Sequence, residues 1–172
     1  MVYERPTRLL GLLVLGGILW LGCSQSDDAA AVHALIDEAD RLAEAHDVQG
    51  ILDLATEDLK VMPGDLDRRR AKGVLWRAFK YYGTFRILHP RASVEVEPER
   101  GRASARLPFL IVRQEQDYPR LERLPEDPLA WIEKVGEFAD LYRLRMELIK
   151  RDGEWLVNLA TFERFTGYGF DE

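Results

Sequence analysis

The chain has 172 residues, 47% of them apolar, and a formal charge of −6. That length suits one folded domain with a short appendage, and that apolar share excludes wholesale disorder. The negative charge argues against nucleic acid as a partner, and a single cysteine, Cys23, excludes an internal disulfide or a thiolate zinc cluster. His33, His46 and His89 show no metal-ligand spacing within one element, so neither a metal nor a cofactor is expected.

In chain order, Arg5 and Arg8, partly offset by Glu4, precede an uninterrupted apolar run from Leu9 to Leu21, LLGLLVLGGILWL. A positive segment followed by an apolar one of this length is the pattern of an export signal. The run falls short of the roughly 20 apolar residues a membrane-spanning helix needs, and Gly11, Gly16 and Gly17 weaken it further. It ends at Gly22-Cys23, before the polar stretch Ser24-Gln25-Ser26-Asp27-Asp28. This arrangement resembles bacterial lipoprotein signal peptides: Gly22 is the small residue before the modified cysteine, while Trp20 stands where that family usually has an aliphatic residue. The resemblance implies a cleaved signal over 1–22, acyl chains such as palmitate on Cys23, and a membrane anchor. An uncleaved anchor, or an ordinary signal with an incidental cysteine, is the alternative. Ser24 matches the class sorted to the outer membrane, which implies a cell-envelope protein on its periplasmic face. Residues 1–22 carry a net +1, so the mature chain would carry −7.

Residues 23–30 read as the lipidated cysteine and a tether, and 31–172 as the folded domain. Val32, Leu35, Ile36, Ala39, Leu42 and Ala43 recur at three- and four-residue steps, the mark of a helix with one buried face. Asp47 is placed to cap a second, shorter helix using Val48, Ile51, Leu52 and Ala55, which Met62-Pro63-Gly64 breaks. Asp65 or Asp67 can cap a third, with Val74, Leu75, Ala78, Phe79 and Tyr82 inward and Gly83 at its C-terminal cap. The basic run Arg68-Arg69-Arg70-Ala71-Lys72 reads either as a solvated helix start or as a contact for anionic head groups.

After Gly83 the period becomes two. Val94 and Val96 alternate with charged residues, Pro98–Gly101 forms a turn, and Ala103, Ala105, Leu107 and Phe109 alternate again. Pairing Glu97 with Arg102 sets Val96 against Ala103 and Val94 against Ala105. In the last hairpin Tyr142, Leu144, Met146 and Leu148 alternate with Arg143, Arg145 and Glu147, and Asp152-Gly153 marks a two-residue turn. That register predicts Leu148 opposite Val157, Met146 opposite Leu159 and Leu144 opposite Thr161. Between the hairpins, 114–139 reads as an insertion with a helix starting at Asp127-Pro128 and a stripe of Leu129, Ile132 and Val135; it is a possible lid or docking helix.

The expected fold class is α+β: three N-terminal helices packed on a curved antiparallel sheet of about four strands. Element order and the closing pattern Leu148-Ile149-Lys150-Arg151-Asp152-Gly153-Glu154-Trp155-Leu156-Val157 resemble the nuclear transport factor 2-like superfamily, with its polyketide-cyclase-like and ketosteroid-isomerase-like members, over about Ala30 to Phe165. The resemblance implies a cone with an apolar cavity, and in its enzymes acid–base groups inside the cone. The residues expected to line such a pocket are Trp76, Phe79, Tyr82, Phe109, Tyr142, Met146, Leu159 and Thr161. Only Tyr142 and Thr161 of the inward strand positions carry a strong polar head, and no acid–base pair is expected on the sheet. His33 and Asp37, four apart on one helix, inward Tyr142, and Glu163 at the rim are the catalytic candidates; the first two read more readily as a solvated surface pair. His46 reads as a helix-end residue and His89, before Pro90, as a strand-break residue. Phe162, Phe165, Tyr168 and Phe170 can close the cone mouth, pack on the same molecule or offer a homodimer surface. The expectation is a non-catalytic, membrane-anchored envelope lipoprotein that binds an apolar small ligand or a partner protein. The alternative is an isomerase- or cyclase-like enzyme.

Overall fold

The computed structural model describes the backbone of residues 21–113 and 139–165, with side chains from Ser26 onward. Three helices, α1 (Leu21–Glu44), α2 (Val48–Asp53) and α3 (Arg68–Tyr82), pack against a seven-stranded sheet. The strands are β1 (Ala55–Met62), β2 (Leu66–Asp67), β3 (Phe85–Leu88), β4 (Ser93–Glu97), β5 (Arg102–Arg113), β6 (Ala139–Arg151) and β7 (Glu154–Arg164). Their order is β2-β1-β7-β6-β5-β3, with β4 also paired to β5. The α+β class and the three helices match the sequence reading. The sheet does not: about four strands become seven, and β1 runs parallel to β7, so the sheet is mixed.

On α1 the apolar stripe is buried through Val32, Leu35, Ile36, Leu42 and Ala43. Residues 24–30, read as a tether, lie within this helix. Asp28 explains why the helix holds there. Its Oδ1 accepts from Lys150 Nζ at 2.5 Å and Trp155 Nε1 at 3.1 Å, so a buried acid is doubly satisfied against the last hairpin. The Lys150 bond holds the Asp28 carboxyl below its usual range.

Asp47 caps α2 by accepting from Gly50 N at 2.8 Å. The helix stops at Asp53, and Ala55, read as helical, opens β1 instead. Arg68 is the reason: its Nη1 donates to Leu52 O at 2.5 Å and Ala55 O at 2.9 Å, and its Nη2 to Asp53 at 3.2 Å. The carbonyls left open at the helix end are thus satisfied by a side chain from the next helix. Leu54 O then accepts from Val157 N at 3.0 Å, which brings β1 onto β7. Asp67 caps α3 through Arg70 N at 2.8 Å, and Gly83 ends it at φ 64°, a conformation that favours glycine.

The first hairpin keeps the expected register, with Glu97 opposite Arg102, Val96 opposite Ala103 and Val94 opposite Ala105. The second begins as expected, with Asp152 and Gly153 at φ 51° and 90° in the turn and Leu148 opposite Val157. Glu147 then pairs with Leu159, which leaves Asn158 as an extra residue. Beyond this bulge Met146 faces Ala160 and Leu144 faces Phe162, not Leu159 and Thr161. One inserted residue exchanges the two faces of the strand. Buried Thr56 fixes the bulge by donating to Asn158 Oδ1 at 3.3 Å, and β1 carries its own irregularity between Ala55 and Lys60.

The core runs from Val32, Leu35 and Ile36 on α1 to Ala105, Leu148 and Trp155 on the sheet, with a second cluster around Ala43, Phe79 and Phe85. The signal segment 1–20, positions 114–138 of the insertion with Leu129, Ile132 and Val135, and Tyr168 and Phe170 lie outside the described residues; Ala139 belongs to β6.

Candidate functional site

Between the helices and the inner face of β5, β6 and β7 lies an open cavity of about 500 Å³. Leu35, Ala39 and Asp40 of α1 and Leu75, Ala78, Phe79 and Tyr82 of α3 form one wall. Leu107, Phe109, Tyr142, Leu144, Met146, Ala160 and Phe162 form the other. Of the expected lining residues, Phe79, Tyr82, Phe109, Tyr142 and Met146 are there. Trp76 is not: one residue beyond Leu75, it turns about 100° round the helix and is 60% exposed on the outer face. Leu159 and Thr161 are not, because the Asn158 bulge turns them outward and puts Ala160 and Phe162 in their place.

Among the described lining residues only Asp40, Tyr82 and Tyr142 carry a polar head other than sulfur. The two tyrosines form one polar end. Tyr82 Oη donates to Asp140 Oδ2 at 2.7 Å and lies 3.0 Å from Tyr142 Oη, while Arg164 Nη2 donates to Asp140 Oδ1 at 2.5 Å. Burial, then the bonds to Tyr142 and Asp140, push the Tyr82 phenol well above its usual range, so it stays a neutral donor. With its proton on Asp140, Tyr82 can only accept from Tyr142. Tyr142 then donates to Tyr82, and the free lone pair of its oxygen is what remains to accept from a ligand.

The second polar feature is a pair the sequence reading did not assemble. Asp40 Oδ2 lies 2.5 Å from His89 Nε2, and His89 Nδ1 donates to Pro90 O at 2.7 Å. Burial raises the Asp40 carboxyl. Burial also pulls His89 down, but its bonds to Pro90 O and Asp40 outweigh this and leave it raised. Each partner thus holds its proton to higher pH than it would alone in water.

The named catalytic candidates fare differently. Asp37 is exposed, and half-buried His33 accepts from Arg91 Nε at 3.4 Å; neither lines the cavity. The acid on the cavity wall is Asp40, almost one turn further along α1. Glu163 is buried, its side chain 5% exposed, but on the outer face of the sheet. It meets Arg143 Nη1 at 3.1 Å and Arg145 Nη2 at 3.0 Å and cannot act inside the cone. Tyr142 alone of the four is in place. His46 ends α1 at φ 58° with Nε2 2.9 Å from Gly83 O, as a helix-end residue should. His89 does follow β3, but its partner Asp40 gives it a place at the site. Phe162 lies at the rim, edge-on to Phe109 at a centroid distance of 6.4 Å. Phe165 closes the strand through its N–H to Leu141 O at 2.9 Å. Among the described residues, no three His, Cys, Asp or Glu side chains gather to hold a metal ion.

No protein-family model matches the chain, and no curated protein matches it by sequence. Solved structures do. An NTF2-like protein with a cystatin-like fold from Novosphingobium aromaticivorans superposes with a TM-score of 0.60 at 16% identity, covering 84% of this chain and 86% of that one. A protein of unknown function with a cystatin-like fold from Nostoc punctiforme gives 0.63 at 11% identity, covering 83% and 94%. The chain has the nuclear transport factor 2-like cone fold. A candidate scytalone dehydratase from Novosphingobium aromaticivorans shares this cone at a TM-score of 0.62 and 12% identity, covering 84% and 88%. The cone can serve ligand binding or catalysis.

Proposed function

We propose that the chain is a membrane-anchored envelope protein whose cone holds an apolar small molecule, gripped at one end by the Tyr142 hydroxyl. The open cavity of about 500 Å³ carries this reading. Sites for small molecules span roughly 300–1,000 Å³ and are mostly apolar with a few placed polar groups. A cavity that size would not survive in a packed core, where voids larger than a water molecule are few. The anchor rests on the signal, Gly22 and Cys23; among the described residues no helix is long and apolar enough to cross a membrane. Native mass spectrometry of protein extracted in mild detergent tests the ligand: one retained apolar molecule per chain is expected, and an empty protein that takes up no fatty or polycyclic probe would refute it. Labelled palmitate should enter the wild type and not Cys23→Ala; equal labelling would remove the anchor.

A second reading is favoured by one observation: Asp40, held by His89, is the acid on the cavity wall. A carboxylate kept basic by burial on the wall of an apolar cavity is a plan for taking a proton from the carbon next to the carbonyl of a bound compound. The fold shared with the candidate scytalone dehydratase is compatible with it. In deuterium oxide, wild type but not Asp40→Asn would then exchange the hydrogen next to the carbonyl of an apolar cyclic ketone. Equal exchange rates for the two proteins would leave binding as the function.

A further inference from the structure

We propose that the outer face of α3, together with the cavity rim, docks on an anionic membrane surface, so that the apolar ligand enters from the bilayer. The first observation is charge. Helix α3 carries Arg68, Arg69, Arg70, Lys72, Arg77 and Lys80 and no acidic residue, in a chain of net −6. Arg68 is consumed by Asp53 and the end of α2, and Lys72 donates to Gln49. Among the described residues, Arg69, Arg70, Arg77 and Lys80 meet no carboxylate, and all four are exposed. A concentration of unpaired cations on one face of an acidic protein calls for an anionic counterpart.

The second observation is what lies between those cations. Trp76 is 60% exposed and Tyr81 68%, with Lys80 Nζ 5.4 Å from the centre of the Trp76 ring. Residues 69, 72, 76 and 80 form one stripe along the helix, and 70, 74, 77 and 81 the next. The first sets Trp76 among Arg69, Lys72 and Lys80, and the second alternates Arg70 and Arg77 with Val74 and Tyr81. An amphipathic aromatic ring beside lysine and arginine suits the head-group layer, where the ring is half buried and the cations meet phosphate. Soluble polyanions would satisfy the arginines but leave Trp76 and Val74 in water.

The third observation is continuity with the cavity. Val74 on this face, Met62 and Phe162 all line the cavity and are 37–40% exposed, so they form its rim. The cationic face and the apolar opening are neighbouring parts of one surface. An apolar molecule could pass from the lipid phase to the cavity across this rim without crossing water. The route rests on the ligand reading above; the docking face rests only on α3.

The full-length chain reconstituted into phosphatidylcholine vesicles, with or without about a third phosphatidylglycerol, tests the face. Bromine-bearing acyl chains quench tryptophans that enter the bilayer, and subtracting the Trp76→Phe signal isolates Trp76. Quenching is expected in anionic vesicles, little in zwitterionic ones, and a fall of about fivefold in the docked-to-undocked ratio for each of Arg70→Gln, Arg77→Gln and Lys80→Gln. An unquenched Trp76 in anionic vesicles, or equal quenching in both compositions, would overturn the proposal. So would loss of cross-links to an acidic protein in the same variants while Trp76 stays unquenched, which would make the face a protein site. Ligand retention in detergent is measured separately, so an empty cavity and an undocked helix are distinct results.

Discussion

The tyrosine pair at the polar end of the cavity sets up an unequal double-mutant cycle. Tyr82 gives up two hydrogen bonds when changed to phenylalanine, one to the Asp140 carboxylate and one shared with Tyr142. A bond to a charged group contributes about 1.5–3 kcal/mol and a neutral one about 0.5–1.5 kcal/mol. Tyr82→Phe should therefore cost about 2–4 kcal/mol, and Tyr142→Phe, which loses only the shared bond, about 1 kcal/mol. Both rings keep their packing, Tyr142 stacked on Phe109 at 5.5 Å and Tyr82 edge-on to Phe85 at 5.9 Å. The shared bond is counted in both single variants, so the double variant should fall short of their sum by about 1 kcal/mol. Urea unfolding of the four proteins measures this, provided the slopes agree. Equal costs for the two single changes, or strict additivity, would refute the network as drawn.

Phe85 is fully buried between Phe79, Tyr82 and His46, and Phe85→Ala should cost about 3–5 kcal/mol in the same assay. The raised His89 contributes stability that is complete below the ordinary histidine value of about 6.5 and is lost as pH rises through its higher folded value. The raised Asp40 acts in the same sense, its contribution complete below the ordinary carboxyl range and declining as pH rises through its folded value. Wild-type stability should fall with rising pH from about 6.5, and His89→Gln should flatten that slope; a slope unchanged in the variant would contradict the pairing. Glu163→Gln should cost about 1–2 kcal/mol, less than breaking a fully buried pair because Arg143 and Arg145 reach water. It should leave ligand retention untouched, since Glu163 faces away from the cavity.

What could be read from the sequence was set by local physics. The α1 stripe, the Asp47 and Asp67 caps, Gly83, the Asp152-Gly153 turn and the whole β4–β5 register depend on neighbours within a few residues, and all are found. β1, β2 and β3 were missed because they are short and their partners are remote; β1 is fixed by Val157 and by Arg68, not by its own alternation. The Asn158 bulge moved two expected lining residues out of the cone. Its one local signal is an asparagine, poor in strands, amid an apolar run. Asp40 also left a signal. It sits four after Ile36 and three before Ala43, on the buried stripe, and a carboxylate there needs a partner. That partner, His89, is 49 residues away and only the fold brings it near. Asp140, next to the start of the recognised strand pattern, was passed over because its contacts are to Tyr82 and Arg164, across the sheet and the helix layer.

Filling the cavity tests the central claim most directly. Ala39 lies on the α1 wall, partly exposed to the empty space. A fluorescent apolar probe titrated into the wild type should saturate at one per chain. Ala39→Trp should abolish that binding while the melting temperature holds or rises, because the new ring occupies the ligand's volume. Undiminished binding by the folded Ala39→Trp variant, at the same stoichiometry, would show that the cone is not where the ligand sits.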